Sequence, residues 1–160
     1  MSLWRQARAV LLLPVTATAV VPVLILWKTG ETTLWWGTAV GVALVAVGLV
    51  FVVWTVRLFS TVGHGTLAPW DPTASLVARG PYLHVRNPMI SGVAFVLAGE
   101  AVAFHSKSLL VWFAAFVAVN AVYIPFVEER GLRRRFGEDY EAYRTHVPRW
   151  LPRLRPWRGT

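Results

Sequence analysis

Four apolar blocks dominate the pattern of hydrophobic and polar positions along this chain. They cover residues 7–27, 34–56, 89–104 and 108–127, and each is a nearly unbroken apolar run rather than a one-sided stripe. A helix needs about 20 apolar residues to cross a bilayer, and the third block is only just long enough. The pattern therefore predicts four transmembrane helices.

The lengths of the polar intervals between the blocks indicate how these helices are connected. Only three residues separate the third block from the fourth, which predicts an antiparallel hairpin over residues 89–127. We expect a single domain over residues 1–160, all-α and built as a multi-pass membrane helical bundle. Its parts are two N-terminal helices within 1–56, a polar connector over 57–88, the hairpin, and a polar tail over 128–160.

The tail has a helical repeat of its own. Apolar side chains recur there every three or four positions, at Leu132, Phe136, Tyr140, Tyr143 and Val147. This spacing predicts a C-terminal amphipathic helix that lies in the membrane interface and is broken at Gly137. The last residues contain three prolines and are expected to be extended, with Trp150 and Trp157 at the level of the lipid headgroups.

The basic residues determine the expected orientation. The net charge is +8, and 14 of the 16 lysine and arginine residues fall near the N-terminus, in the connector or in the tail. Cytoplasmic loops are the ones enriched in basic residues, so we expect both termini, the connector and the tail on the cytoplasmic side. This distribution favours the headgroups of a bilayer as the partner and argues against nucleic acid.

Composition removes several kinds of chemistry. The chain has no cysteine, which excludes disulfides, thiolate metal ligands and a cysteine nucleophile. Its four histidines include no pair four residues apart, so we expect no metal site.

Two adjacent carboxylates, Glu128 and Glu129, stand where the fourth block ends. Carboxylates at a bilayer boundary are costly unless they are hydrated or paired. One interpretation is a hydrated helix end that pairs with Arg130, Arg133 and Arg134. The other is a carboxylate that faces a polar cavity and binds a cationic or hydroxyl-bearing ligand.

The third block is preceded by Arg86, Asn87 and Pro88. Asn is a preferred N-cap and Pro a preferred first helical residue, so this triplet is expected to begin the helix. A helix N-terminus also attracts anions, and Arg86 would strengthen the binding of a carboxylate or phosphate. Both roles are compatible.

These motifs together resemble a known family. The segment "GPYLHVRNPMISG" (80–92) is followed, after the hairpin, by "EERGLRRRFGEDYEAYRTHVPRWLPR" (128–153). The order is similar to that of the integral-membrane methyltransferases, which include isoprenylcysteine carboxyl methyltransferase and the phospholipid N-methyltransferases. "GHGTLAPWDP" (63–72) also resembles bacterial members. Asn87 and Ile90 stand where the family pattern has His and Tyr.

The resemblance implies S-adenosylmethionine as the methyl donor, bound on the cytoplasmic side. Carried over residue by residue, it assigns cofactor binding to Gly80, Tyr82, Arg86, Pro88, Gly92, Glu128 and Glu129. We add Asn87, because an Asn in place of the family's His still offers a hydrogen-bond donor and an acceptor.

The function expected from this resemblance is methyl transfer to a lipidic or small hydrophobic acceptor, at the cytoplasmic face of a bacterial inner membrane. A carboxylate acceptor needs only an orienting cation, for which Arg144 and Arg149 are candidates. An amine acceptor needs a base such as Glu129 or His64. The alternatives are an NADPH-dependent sterol-type membrane reductase, and a non-catalytic lipid-binding protein that keeps the fold.

Overall fold

The computed structural model describes residues 11–33, 35–62 and 74–158, and within these ranges the regular structure is entirely helical. The predicted all-α class is confirmed. His64 and the rest of the "GHGTLAPWDP" motif lie outside the described residues. A π-helical segment, Leu11–Val20, leads into the first of five α-helices. They are α1 (Val21–Thr29), α2 (Thr38–Thr61), α3 (Pro88–Ala103), α4 (Lys107–Tyr123) and α5 (Glu129–His146), with a 3₁₀ turn at Gly80–Leu83 and a π-helical segment at Ile124–Glu128.

Two of the described helices are long and apolar enough to cross a bilayer. Helix α2 has 24 residues and a mean hydropathy of 2.6 in its most apolar part. Helices α4 and α5 form one continuous helix, Lys107–His146, whose most apolar part has a mean hydropathy of 2.1. The apolar helices Pro14–Thr29 and Pro88–Ala103 are shorter. At about 1.5 Å per residue, the second of these is about 24 Å long, less than the roughly 30 Å hydrocarbon core.

Helices α2 and α3 pack against each other through glycines spaced seven residues apart. A Cβ added to Gly41 would lie 2.5 Å from the carbonyl oxygen of Gly99, and one added to Gly48 would lie 2.5 Å from that of Gly92. A side chain at any of these four positions would hold the backbones apart. Small residues permit this close approach in membrane helix pairs.

Side-chain hydrogen bonds hold together the end of the bundle where α2 begins and α3 ends. The Trp35 indole donates to the Val102 carbonyl oxygen at 2.6 Å, and the Thr38 hydroxyl donates to that of Ala103 at 3.0 Å. The Glu31 carboxylate accepts from the Ser106 hydroxyl and from the Ser108 amide. These bonds tie the loop before α2 to the turn between α3 and α4.

The π-helical segment between α4 and α5 contains Pro125. Proline has no amide hydrogen and clashes with the preceding turn of an α-helix, and a π-helical turn is one way to accommodate it within a continuous helix. The segment ends at Glu128, and Glu129 is the first residue of α5.

Helix α5 is kinked at Gly137, whose φ of 51° lies in the left-handed region. The predicted break at this glycine is confirmed. Beyond the kink, Tyr140 and Tyr143 are buried together with Val147, the first residue after the helix. Trp157 packs with its ring 5.5 Å from that of Tyr143, so one side of this indole is covered by α5.

Candidate functional site

A buried ion cluster lies where α5 begins, centred on Glu129. One carboxylate oxygen accepts from Arg86 Nη1 at 2.9 Å and from Arg149 Nε at 2.7 Å, and the other accepts from Arg149 Nη2 at 2.9 Å. The Glu129 side chain is only 7% exposed. Arg149 therefore binds the carboxylate with two parallel hydrogen bonds, the strongest arrangement available to this pair. Its hydrogen bonds with Glu129 raise the pKa of the Arg149 guanidinium.

The two neighbouring carboxylates are separated by the helix. Glu128 is exposed, whereas Glu129 faces the cluster. The interpretation of the pair as a hydrated helix end bonded to nearby arginines is wrong for Glu129, whose partners are remote in sequence. Of those nearby arginines, Arg130 lies over the Phe126 ring and Arg133 pairs with Glu141.

Arg86 is the most buried cation of the cluster, with 11% of its side chain exposed. Its Nη1 also lies 3.4 Å from the Tyr140 hydroxyl. Its Nε is buried and has no hydrogen-bond partner among the described residues. A buried donor without a partner is costly, and this N–H is available to an acceptor group on a ligand.

The start of α3 differs in part from the prediction. Pro88 is the first helical residue and Asn87 precedes it, as expected. The Asn87 side chain does not cap the helix, however, and donates instead to the Arg149 carbonyl oxygen at 3.3 Å. Asn87 thus connects the helix start to the arginine that bonds Glu129.

Two other predicted cofactor residues lie in the 3₁₀ turn that precedes the cluster. Gly80 has a φ of 56°, in the left-handed region that favours glycine. Tyr82 is buried, with its ring 5.8 Å from that of Phe59, and its carbonyl oxygen accepts from the Tyr143 hydroxyl at 2.7 Å. Gly92 lies elsewhere, in the packing face between α2 and α3, where a Cβ would be 2.9 Å from the Gly48 carbonyl oxygen.

The two candidate substrate arginines occupy different places. Arg149 is part of the ion cluster, whereas Arg144 pairs with Glu141 on α5 at 2.9 Å. Glu100, in α3, has a buried carboxylate oxygen without a hydrogen-bond partner among the described residues.

The tail returns along the segment that precedes α3, a contact that the sequence did not predict. The Arg86 amide donates to the Pro148 carbonyl oxygen at 2.9 Å, and the Arg153 and Trp157 amides donate to those of His84 and Leu83 at 3.0 Å. These backbone bonds bring Arg149 to Glu129. Such bonds cannot be predicted from the pattern of side chains, because any residue except proline can donate them.

Three tyrosines on the segments that form the cluster are buried. Burial raises the pKa of the Tyr82, Tyr140 and Tyr143 hydroxyls, and the Glu129 carboxylate raises that of Tyr140 further. All three therefore stay protonated well into the alkaline range, and the Tyr143 bond to Tyr82 persists there.

We expect folding stability to fall as pH rises above about 10. Tyrosines of the unfolded chain ionise there while the folded ones keep their protons, so the unfolded state binds fewer protons and is favoured. Melting temperatures in detergent between pH 8 and pH 11 test this. Tyr143→Phe should be less stable at pH 8 by about 1 kcal/mol and should decline less steeply above pH 10. A melting temperature that does not change over this range would contradict the expectation.

The fold and the site together define a class of protein. Over the residues that the structure describes, the chain is helical, with two membrane-length helices and a buried carboxylate–arginine cluster where α5 begins. The family model described as Phospholipid methyltransferase matches residues 36–139, more than half of the chain. The chain therefore belongs to the phospholipid methyltransferase family, and the resemblance seen in its motifs is confirmed. No curated protein and no solved structure matches it.

The matched range bears on the origin of the cluster. Arg86 and Glu129 fall within residues 36–139. Arg149 falls outside this range, in the returning tail. The cluster thus combines residues of the matched region with one contributed by the tail.

Proposed function

We propose that this protein transfers a methyl group from S-adenosylmethionine to a lipidic or small hydrophobic acceptor at the cytoplasmic face of the membrane. The observation that carries the proposal is the Glu129–Arg86–Arg149 cluster. It combines a buried carboxylate with the buried Arg86, whose Nε–H has no hydrogen-bond partner among the described residues. The membership of the phospholipid methyltransferase family supports the reaction class.

The donor set of the cluster fits this cofactor. S-adenosylmethionine supplies an electrophilic methyl group on a sulfonium, and it also carries a carboxylate, an ammonium and ribose hydroxyls. Arg86, through its unpartnered Nε, suits the carboxylate. Glu129 suits the ammonium or the hydroxyls once one of its two hydrogen bonds from Arg149 is broken. We place Gly80, Tyr82, Asn87, Pro88 and Glu128 around it on the strength of the family resemblance, and leave out Gly92, which packs against Gly48.

The chemistry left to the protein is mainly positioning and exclusion of water. Arg149, 32% exposed and already at the cluster, is the better placed of the two arginines to orient a carboxylate acceptor. Arg144 would serve only after leaving Glu141. If the acceptor is an amine, its proton must be removed, and Glu129 is the carboxylate nearest this role.

The membrane topology that goes with this function has four helices. Alongside α2 and the Lys107–His146 helix, the helices Pro14–Thr29 and Pro88–Ala103 would span with their ends near the interfaces. Both termini, the connector and the tail would be cytoplasmic, in keeping with their arginines. Helix α5 would lie at the interface of a bacterial inner membrane.

The first test is the binding of S-adenosylhomocysteine, the product form of the cofactor, to the detergent-purified full chain. We expect a dissociation constant in the micromolar range by calorimetry. NADPH serves as the control ligand and should not bind. If the folded protein shows no binding of S-adenosylhomocysteine at millimolar concentration, the proposal is contradicted. Binding of NADPH under those conditions would favour the reductase, and binding of neither would favour the non-catalytic lipid-binding protein.

A further inference from the structure

An exposed apolar group stands out on the tail. Leu154 is 98% exposed and Leu151 is 82% exposed, and Trp150 beside them is 38% exposed. We call Trp150, Leu151 and Leu154 the tail tip. Neighbouring tail residues behave differently, since Val147 is buried and Trp157 packs on Tyr143. The tail therefore packs one set of large apolar side chains inward and turns another set outward.

The hydrogen bonds of the tail fix the position of the tail tip relative to the apolar helices. Arg149, directly before the tail tip, bonds Glu129. Two residues before Glu129, Val127 is 52% exposed and ends the apolar outer surface of the helix that began at Lys107. Further along, the Arg153 amide bonds His84, four residues before α3 begins at Pro88. The tail tip is thus held beside the ends of two apolar helices.

The charge of the tail matches one kind of surface. Residues 147–160 contain four arginines and no Asp or Glu. Arg149 and Arg153 are engaged within the fold, whereas Arg155 and Arg158 are exposed close to the tail tip. Arginines next to exposed Leu and Trp side chains are the composition of segments that bind an anionic bilayer surface.

We infer that the tail tip inserts into the cytoplasmic leaflet of the membrane that the chain spans, with Arg155 and Arg158 bonded to anionic lipid headgroups. The inference rests on the membrane orientation of the proposed function. Insertion would hold the tail, and with it Arg149, against the leaflet from which a lipidic acceptor would come.

The absence of cysteine from the chain makes a direct test possible. Leu154→Cys, labelled with an environment-sensitive fluorophore, is placed in the full chain in lipid nanodiscs that contain phosphatidylcholine and phosphatidylglycerol. Glu138→Cys, at an exposed position of α5, is the matched control. We expect doxyl-labelled lipids to quench the Leu154 label several-fold more than the Glu138 label. Equal quenching of the two labels would overturn the insertion.

The headgroup contact is tested by lipid composition. Quenching of the Leu154 label should increase when phosphatidylglycerol replaces part of the phosphatidylcholine, and Arg155→Glu with Arg158→Glu should abolish that increase. An increase that survives both substitutions would overturn the role of the arginines. Disulfide-linked dimers formed by unlabelled Leu154→Cys in every lipid would overturn the inference in favour of a second copy of the chain.

The same nanodiscs separate this inference from the proposed function. S-adenosylhomocysteine binding is measured on the labelled proteins. Intact binding with a water-exposed Leu154 label overturns the insertion alone. A quenched label in protein that does not bind S-adenosylhomocysteine supports the insertion and contradicts the methyltransferase.

Discussion

Glu129→Gln will weaken S-adenosylhomocysteine binding by about 10- to 100-fold, the loss expected for one charge-assisted hydrogen bond worth about 1.5–3 kcal/mol. The glutamine has nearly the same shape, so the change removes the charge and leaves the packing in place. It also leaves Arg86 buried without its counter-charge. Breaking a buried ion pair in this way costs about 3–5 kcal/mol, and we expect a lower melting temperature in detergent as well.

Glu141→Gln is the matched control for this variant. Glu141 also lies on α5 and also bonds two arginines, Arg133 and Arg144, but its side chain is 38% exposed. Exposed pairs contribute at most about 1 kcal/mol, so this variant should bind S-adenosylhomocysteine like the unaltered protein. Calorimetry and melting curves on both variants make the comparison. Equal binding by Glu129→Gln and the unaltered chain would remove Glu129 from the cofactor site.

Gly48→Ala will destabilise the helix pair of α2 and α3. The added Cβ would lie 2.5 Å from the Gly92 carbonyl oxygen and 2.8 Å from the Val96 amide nitrogen. Both are backbone atoms, so the helices themselves must move apart. Overpacking of this kind costs about 1–3 kcal/mol, and the change should lower the melting temperature in detergent without altering any polar group of the site.

Gly131→Ala provides the opposite case. Gly131 lies within α5, and nothing is within 4 Å of the position that its Cβ would occupy. Alanine is a better helix former than glycine by about 0.5–1 kcal/mol, so this variant should be slightly more stable than the unaltered chain. A Gly48→Ala protein that melts at or above the temperature of Gly131→Ala would contradict the close packing of α2 and α3.

The recognition of the family depended on local motifs and so could be made from the sequence. The segment before α3 and the carboxylates after α4 keep their order and spacing whatever the tertiary contacts are. The helix break at Gly137 was predicted correctly for the same reason, because a left-handed backbone conformation depends on one residue. Pro88 at the first position of α3 has the same explanation.

Pairings between distant residues could not be read in this way. The sequence offered nine arginines after the fourth block as partners of the carboxylates, and the immediate neighbours were as plausible as any. Arg149 was selected because the tail returns through backbone hydrogen bonds to residues 83–86, and such bonds carry no side-chain signature. The same return placed Asn87 against the Arg149 carbonyl oxygen rather than at a helix cap.

The sequence by itself determined the helical class, the apolar blocks and the methyltransferase motifs, because hydrophobicity, helix propensity and turn residues act over a few neighbouring positions. The tertiary structure decided which carboxylate is buried, since Arg86 and Arg149 approach Glu129 and leave Glu128 exposed. It also decided that Gly92 lies in a helix interface and that the tail tip faces outward. These outcomes depend on how whole helices and the tail approach one another, and that approach is a property of the assembled chain.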